Sequence, residues 1–411
     1  MMPSKKLLII GYVWPEPKSS AAGSRMMELI ALFNGQGYQI TFASAAQLSD
    51  HMADLTDYNV DCTNIALNCS SFDTFVKELA PSIVIYDRFM MEEQFGWRVE
   101  QQCPTALTIL DTEDLHTLRY ARHDAYKNAR AVNADDLTSD MAKREIAAIY
   151  RCDLTLMISN AEIELLTKHY QVPAQLLHHI PFMLDIDRLN EERPDYSERV
   201  DFISIGNFRH APNWDAVRYL KESIWPLIRK QLPKAQLNVY GAYPPPKATQ
   251  LHNEKQGFLI KGWCDDAHAE IKQAKVLLAP LRFGAGIKGK LADAMINGTP
   301  NVTTSIGCES MHGELPWGGD VSDEPEQFAQ CAVALYQDRE RWLDYVSKGD
   351  NIIRTLYNKT ELAKILMHRV NYLIENLVSH RLDNFTGSML KHHHHKSTKY
   401  MSQWIEAKNK D

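Results

Sequence analysis

The chain lacks any apolar run approaching the roughly 20 residues of a membrane-spanning helix, so no span is expected. Its first apolar run, Leu7 to Ile10, follows Lys5 and Lys6 but is too brief for a secretory signal and ends at Gly11. Close cysteine pairs are missing as well. Cys62, Cys69, Cys103, Cys152, Cys264, Cys308 and Cys331 are scattered and odd in number, which speaks against structural zinc or a redox dithiol and for reduced thiols. Nor is there a surplus of positive charge: 45 Lys and Arg stand against 52 Asp and Glu, a net charge of -7. Nucleic acid is therefore not an expected partner. These absences point to the cytoplasm and leave open a peripheral contact with the inner face of a membrane.

What is present is 411 residues, 45% hydrophobic and 24% charged, enough for two full cores. Short apolar runs recur with amphipathic stretches between them: Leu7 to Ile10, Gln39 to Ala43, Ile83 to Tyr86, Ala106 to Leu110 and Leu154 to Ile158. Strands alternating with helices predict an α/β domain with a parallel sheet covered on both faces. Ser159 with Glu162 three positions on reads as a capping box. From 186 to 199 the chain turns charged and loses periodicity, as a linker does. A second series follows, with strands expected at Val200 to Ile205, Leu237 to Tyr240, Phe258 to Ile260, Val276 to Leu281 and Asn301 to Thr303. The predicted organisation is a first domain over 1–185, the linker, a second domain over 200–345, helices over 346–378 and a loosely ordered polar tail over 379–411. The four histidines from His392 to His395 read as decoration of that tail, and no metal site is expected. Two doubly wound sheets in tandem leave a cleft beyond their strand ends, the default place for a ligand.

The most informative stretch is APLRFGAGIKGKLADAMINGTP, Ala279 to Pro300, in which a buried strand leads through a glycine loop into a helix. Free N–H groups at the helix start, its positive dipole end and close approach over Gly284 and Gly286 suit a diphosphate. Lys288 and Lys290 add charge nearby; the alternative is that the glycines merely turn the chain. The segment resembles the donor-binding signature of retaining GT-B glycosyltransferases of the family-four, or glycosyl transferases group one, type. Within them it is similar to the subgroup whose signature reads G-A-G-I-K, then Lys, then an acidic residue with Ala-Met, here Asp293, Ala294 and Met295. Asp293 stands where the broader family has a ribose-binding glutamate, and Ala285 stands where its sugar-reading glutamate would fall.

Two further elements carry the same resemblance. Gly206 and NFRHAPNWDAV, Asn207 to Val217, put Arg209 and His210 at the end of a strand, where an arginine can clamp phosphate oxygens. LDTEDLHTLRYAR, Leu110 to Arg122, places Asp111, Asp114, His116 and Arg119 past a strand of the first domain. The resemblance implies a GT-B fold: two Rossmann-like doubly wound domains facing across a cleft, with C-terminal helices crossing back to the first domain. The first domain would hold the acceptor and the second a nucleotide-diphosphate sugar, with no cofactor and no catalytic metal. Arg209, Lys288 and His116 are the expected catalytic residues. Gly206, His210, Gly284, Gly286, Ile287, Lys290 and Asp293 are expected to bind the donor, and Gly23, Arg25, Asp111, Asp114 and Arg119 to line the cleft. The acceptor, whether glycan, lipid-linked molecule, protein or small metabolite, is not specified. Competing readings are a nucleotide-sugar epimerase of related fold and a catalytically silent partner in a glycan-assembly complex.

Overall fold

The computed structural model describes residues 5–409. In the first domain the strands are β1 (Lys6–Gly11), β2 (Gln39–Ser44), β3 (Val60–Asn64), β4 (Ile83–Asp87), β5 (Leu107–Asp111), β6 (Leu154–Met157) and β7 (Leu177–His179). The helices between them are α1 (Ala21–Gly35), α2 (Ser71–Leu79), α3 (Phe89–Gln102), α4 (His116–Lys127), α5 (Asp140–Arg151) and α6 (Asn160–Lys168). The sheet is parallel, in the order β3-β2-β1-β4-β5-β6-β7. Its central strands are continuous apolar runs because both faces are covered: Leu7 and Ile9 enter one core, Leu8 and Ile10 the other.

The second domain repeats the plan with β8 (Val200–Ile205), β9 (Leu237–Tyr240), β10 (Phe258–Gly262), β11 (Ala274–Ala279), β12 (Asn301–Thr303) and β13 (Gly319–Val321). They lie parallel in the order β10-β9-β8-β11-β12-β13. Its helices are α7 (Ala211–Tyr219), α8 (Trp225–Gln231), α9 (Pro246–Thr249), α10 (Ala267–Gln273), α11 (Gly289–Ile296), α12 (Ser305–Cys308), α13 (Pro325–Gln337) and α14 (Arg339–Leu356). Then α15 (Lys359–Glu375) crosses back, burying Leu366, Met367, Val370 and Leu373 in the core of the first domain.

The crossing comes later than position 346, because Ile352, Ile353 and Tyr357 at the end of α14 still belong to a core of the second domain. Outgoing and returning chains lie side by side there: Leu184 N–H donates to Tyr357 O at 2.8 Å and Lys359 N–H to Leu184 O at 3.0 Å. The charged linker is pinned rather than loose. Arg199 is buried and donates to Thr299 Oγ1 and to the Asn297 carbonyl, and Arg193 pairs with Asp350.

Beyond α15 the expected loose tail is instead helical: α16 (Leu377–Leu382), α17 (Phe385–Leu390), a π turn over Lys391–His395 and α18 (Lys396–Lys408). It docks through polar contacts, which is why apolar periodicity did not reveal it. Arg381 forks onto Asp153 with two bonds of 2.7 Å, and Arg98 donates to Ser402 at 3.0 Å. Gly387 permits the approach, since a Cβ there would stand 2.1 Å from the Tyr150 carbonyl oxygen. The side chains of His394 and His395 lie outside the described residues.

Candidate active site between the domains

All strands of each sheet run the same way, so their carboxyl ends form one edge, and the loops of the two edges meet. The helix starts meet too: a Cβ on Gly289, the first residue of α11, would lie 2.7 Å from Cβ of Ala21, the first of α1. Two positive dipole ends therefore converge at one place.

The glycine loop between β11 and α11 is shaped by close approach. Gly286 holds a φ of +63°, and an added Cβ would lie 3.0 Å from Cβ of Asp114 in the other domain. Lys288, at the N-cap of α11, donates to the Gly286 and Ala285 carbonyls at 2.6 and 3.2 Å. Lys290 donates to Asn213 Oδ1 at 2.8 Å, and its Nζ would be 2.7 Å from a Cβ on Gly206. Burial lowers the Lys288 pKa to about 8, with Glu309 and Glu162 opposing the fall. For Lys290, burial and then Lys288 lower it to about 7, against Asp293. These ammonium groups are held where an anion would stabilise them.

Ile287 turns its side chain into the second-domain core, so it can offer a ligand only backbone groups. Gly284 offers its carbonyl to Arg122 of α4 at 2.9 Å. Ala285 packs into an apolar cluster of the first domain, so its methyl is a contact between the domains.

From the first domain, Asp114 accepts two bonds from Arg119, at 2.7 and 2.8 Å. Burial pushes the Asp114 pKa up, but Arg119, His116 and His210 outweigh it and the net shift is downward. His116 opens α4, whose first amides are capped by Glu145: His116 N–H and Thr117 N–H donate to its carboxylate at 2.9 and 2.8 Å. The His116 Nδ1 lies 3.4 Å from that carboxylate and 3.9 Å from Asp114. His210 completes the group from the second domain. The residue is exposed, yet desolvation by the surrounding protein and then Arg119 lower its pKa to about 4, with Asp114 opposing.

Arg25 and Asp111, expected to line the cleft, do not reach it. Both are fully buried and pair with each other at 3.0 Å, and Arg25 also donates to the Ile180 carbonyl at 2.6 Å. A guanidinium this deep is satisfied only by a carboxylate and carbonyls, so the pair braces β5 against α1 beneath the site. Gly23 lets α1 pack on the preceding loop, since a Cβ would lie 2.3 Å from the Glu16 carbonyl carbon. Arg209, expected to clamp phosphate, is exposed with its guanidinium 3.5 Å from the centre of the Tyr243 ring. It has no carboxylate partner among the described residues.

Several residues here were not expected from the sequence to belong to the site. Arg88 and Glu113 hold left-handed φ values of 69° and 63° at the ends of neighbouring strands β4 and β5, a strained conformation concentrated at functional sites. Burial and the carboxylates of Asp111 and Asp87 push the Glu113 pKa well up, against Arg25 and Arg88. Glu162 is buried and accepts from two domains at once: Leu115 N–H at 3.1 Å and Gly286 N–H at 2.8 Å. It is not a capping-box partner, for Ser159 makes no side-chain cap bond. Arg122 forks onto Glu309 across the cleft with two bonds of 2.7 Å.

Beside the glycine loop, a shallow crevice opens at the ends of β8, β9 and β10, lined by Ser19, Gly206, Gly241, Trp263 and Ala267 among others. Asp293, on the second turn of α11, lies near His268, Arg188 and Lys290. Burial raises its pKa against those three, and its carboxylate accepts no hydrogen bond from the described residues.

Two Rossmann-like domains joined in this way, with helices crossing back, form the GT-B architecture. Residues 199–338, most of the second domain, match the family model described as Glycosyl transferases group 1. Among solved structures, the chain resembles a sucrose-phosphate synthase from Thermosynechococcus elongatus, with a TM-score of 0.68, 14% identity and coverage of 90% of this chain and 99% of that one. It is also similar to Anabaena HepE in complex with UDP-glucose: TM-score 0.66, 12% identity, 90% and 100% covered. A third is WaaG, a glycosyltransferase involved in lipopolysaccharide biosynthesis: TM-score 0.62, 13% identity, 87% and 99% covered. At these identities the likeness is one of fold. No curated protein matches the chain significantly in sequence.

Proposed function

We propose that this protein transfers a sugar from a nucleoside-diphosphate sugar to an acceptor hydroxyl, with retention at the anomeric carbon and without a catalytic metal. The observation that carries the proposal is the convergence of Lys288, Lys290 and the start of α11 opposite Asp114, His116 and Arg119. The likeness to a fold solved with UDP-glucose supports a nucleotide sugar as donor. In this reading the crevice beside Gly206 and Trp263 takes the base, and Asp293 accepts from the ribose hydroxyls. The diphosphate lies over the amides at the start of α11, with Arg209 swinging from Tyr243 onto its oxygens.

In the reaction the bond from the anomeric carbon to the diphosphate oxygen breaks, and the departing anion gains charge. Cations and amides fixed around that anion lower the barrier because they need no rearrangement as the charge grows. The acceptor oxygen attacks the same face of the sugar, and its proton passes to the departing phosphate, so no protein base is required. His116 orients the sugar with the imidazole side not facing Glu145. The lysines supply the charge that a divalent ion would otherwise bring.

The test is thermal unfolding with a panel of nucleoside diphosphates and their sugars. A ligand that binds the native state raises its melting temperature. A selective shift is expected, lost in Lys288→Ala, together with a fall in kcat of about tenfold or more in saturating donor. If no nucleotide stabilises the wild type at millimolar concentration, the donor reading fails and the silent-partner reading takes its place.

A further inference from the structure

We propose that the outward face of the C-terminal helical rod docks on a lipid bilayer containing anionic headgroups. The segments α17, the π turn and α18 follow one another without a break from Phe385 to Lys408. The side packed on the first domain is small and polar: Gly387 sits on the Tyr150 carbonyl, Ser402 is buried under Arg98, and Glu406 accepts from Ser70 at 2.5 Å. On the other side stand Phe385 and Met389 of α17 and, every four residues along α18, Lys396, Tyr400, Trp404 and Lys408. Phe385 is 76% exposed, Tyr400 65% and Trp404 59%. Leu382 on α16 continues the patch at 77%. An ordinary surface helix turns its apolar stripe inward, and this rod does the reverse. A contiguous exposed apolar face of this kind marks an interaction surface.

The chemistry of the face selects the occupant. Trp and Tyr place an apolar ring in the acyl boundary and a polar edge in the headgroups, and Lys side chains bury their stems while the ammonium stays wet. Arg381 and Lys391 face Asp153 and Glu100 of the first domain, so the charge left to the rod is Lys396, Lys399 and Lys408 against Glu406, a local positive excess in a chain whose net charge is -7. That local sign complements anionic lipid. A second copy is a poorer partner, because two-fold pairing of the face would bring Lys396 and Lys408 towards their own equivalents. No described helix is long and apolar enough to cross a membrane, so the contact lies along the surface. The rod ends beside Ser70 at the head of α2, on the edge of the first sheet that also carries Glu113 and His116. A docked bilayer would therefore adjoin that edge.

The test is co-sedimentation of the full chain with phosphatidylcholine vesicles, with and without phosphatidylglycerol. Binding is expected to the anionic vesicles, to weaken with salt, and to drop about tenfold or more in Tyr400→Ser/Trp404→Ser. Phe385→Ser, on a separate helix, is expected to weaken it as well, and each variant is checked for an unchanged melting temperature. The proposal is overturned if wild type stays in the supernatant with both vesicles, or if it binds phosphatidylcholine alone equally well. It is also overturned if light scattering reveals a dimer that Trp404→Ser dissociates while vesicle binding is unaltered.

Discussion

Glu162 joins the two domains through a single oxygen, which accepts from the Leu115 amide on one side and the Gly286 amide on the other. Its second oxygen has no hydrogen-bond partner among the described residues, so the carboxyl can carry its proton there. Burial, and then Asp114, raise its pKa from 4.5 to about 8, although both amides and Lys288 favour the charged form. A carboxyl raised on folding contributes stability that is fully present below 4.5 and is lost as pH rises to about 8. Glutamine offers the same carbonyl oxygen to both amides and does not titrate. Relative to wild type, Glu162→Gln should therefore become more stable between pH 5 and pH 9, by up to about 4 kcal/mol. Urea midpoints of both proteins at the two pH values measure it, and a constant difference would mean that Glu162 is ionised throughout. Nothing in the sequence distinguished this role. Ser159 and Glu162 have capping-box spacing, but that spacing only says that the carboxylate can reach its own helix start, and in the fold another helix start and a loop compete for it. Arg25 and Asp111 mislead in the opposite direction, because a polar residue at a strand end reads as a cleft residue whether its partner is a ligand or a buried arginine.

At the scale of elements, the start of α11 gathers two lysines, the amides of a glycine loop and the positive end of a dipole. With pKa values of about 8 for Lys288 and about 7 for Lys290, both lose charge just above neutrality. A bound diphosphate favours the protonated forms, so binding should take up protons, and affinity should fall as pH rises through 7 to 8. Between pH 7 and 8 the loss is about fivefold from Lys290 and about twofold from Lys288, and it steepens towards about tenfold per unit for each lysine only above its own pKa. Calorimetry of nucleoside diphosphate binding in buffers of different ionisation enthalpy measures the uptake directly; a heat independent of buffer would remove both lysines from the phosphate contacts. This element was legible in the sequence because its signal is local: strand, glycine loop, helix and cations fall within Ala279 to Pro300. The central strands were legible for a similar reason, since double coverage makes them continuous apolar runs. β3, β7 and β13 were not, for each lies at a sheet edge, and β7 and β13 are three residues long. The helices of the tail were missed because Arg381, Asn384 and Ser402 hold them through polar bonds, which leave no period in hydrophobicity.

For the whole molecule, what matters is how firmly the domains close. The outgoing and returning chains are tied together at Leu184 and Lys359, where the proposed function would need its hinge. Across the cleft the strongest visible clasp is Arg122, forked onto Glu309 and bonded to the Gly284 carbonyl. The Arg122 and Glu309 side chains are 18% and 24% exposed, so solvent screens the pair, and a contribution of about 1 kcal/mol to closure is the reasonable scale. In the proposed function, closing would align the first-domain residues with the lysines of α11 and exclude water from the reacting centre. Arg122→Ala should therefore shift the molecule towards open forms, raising its radius of gyration in small-angle scattering and raising the donor KM by about fivefold. Because Arg122 touches the loop carbonyl rather than the expected diphosphate position, kcat in saturating donor should fall less than in Lys288→Ala. An unchanged scattering curve with a collapsed kcat would instead make Arg122 a direct partner of the leaving group, and would move the centre of the reaction towards α4.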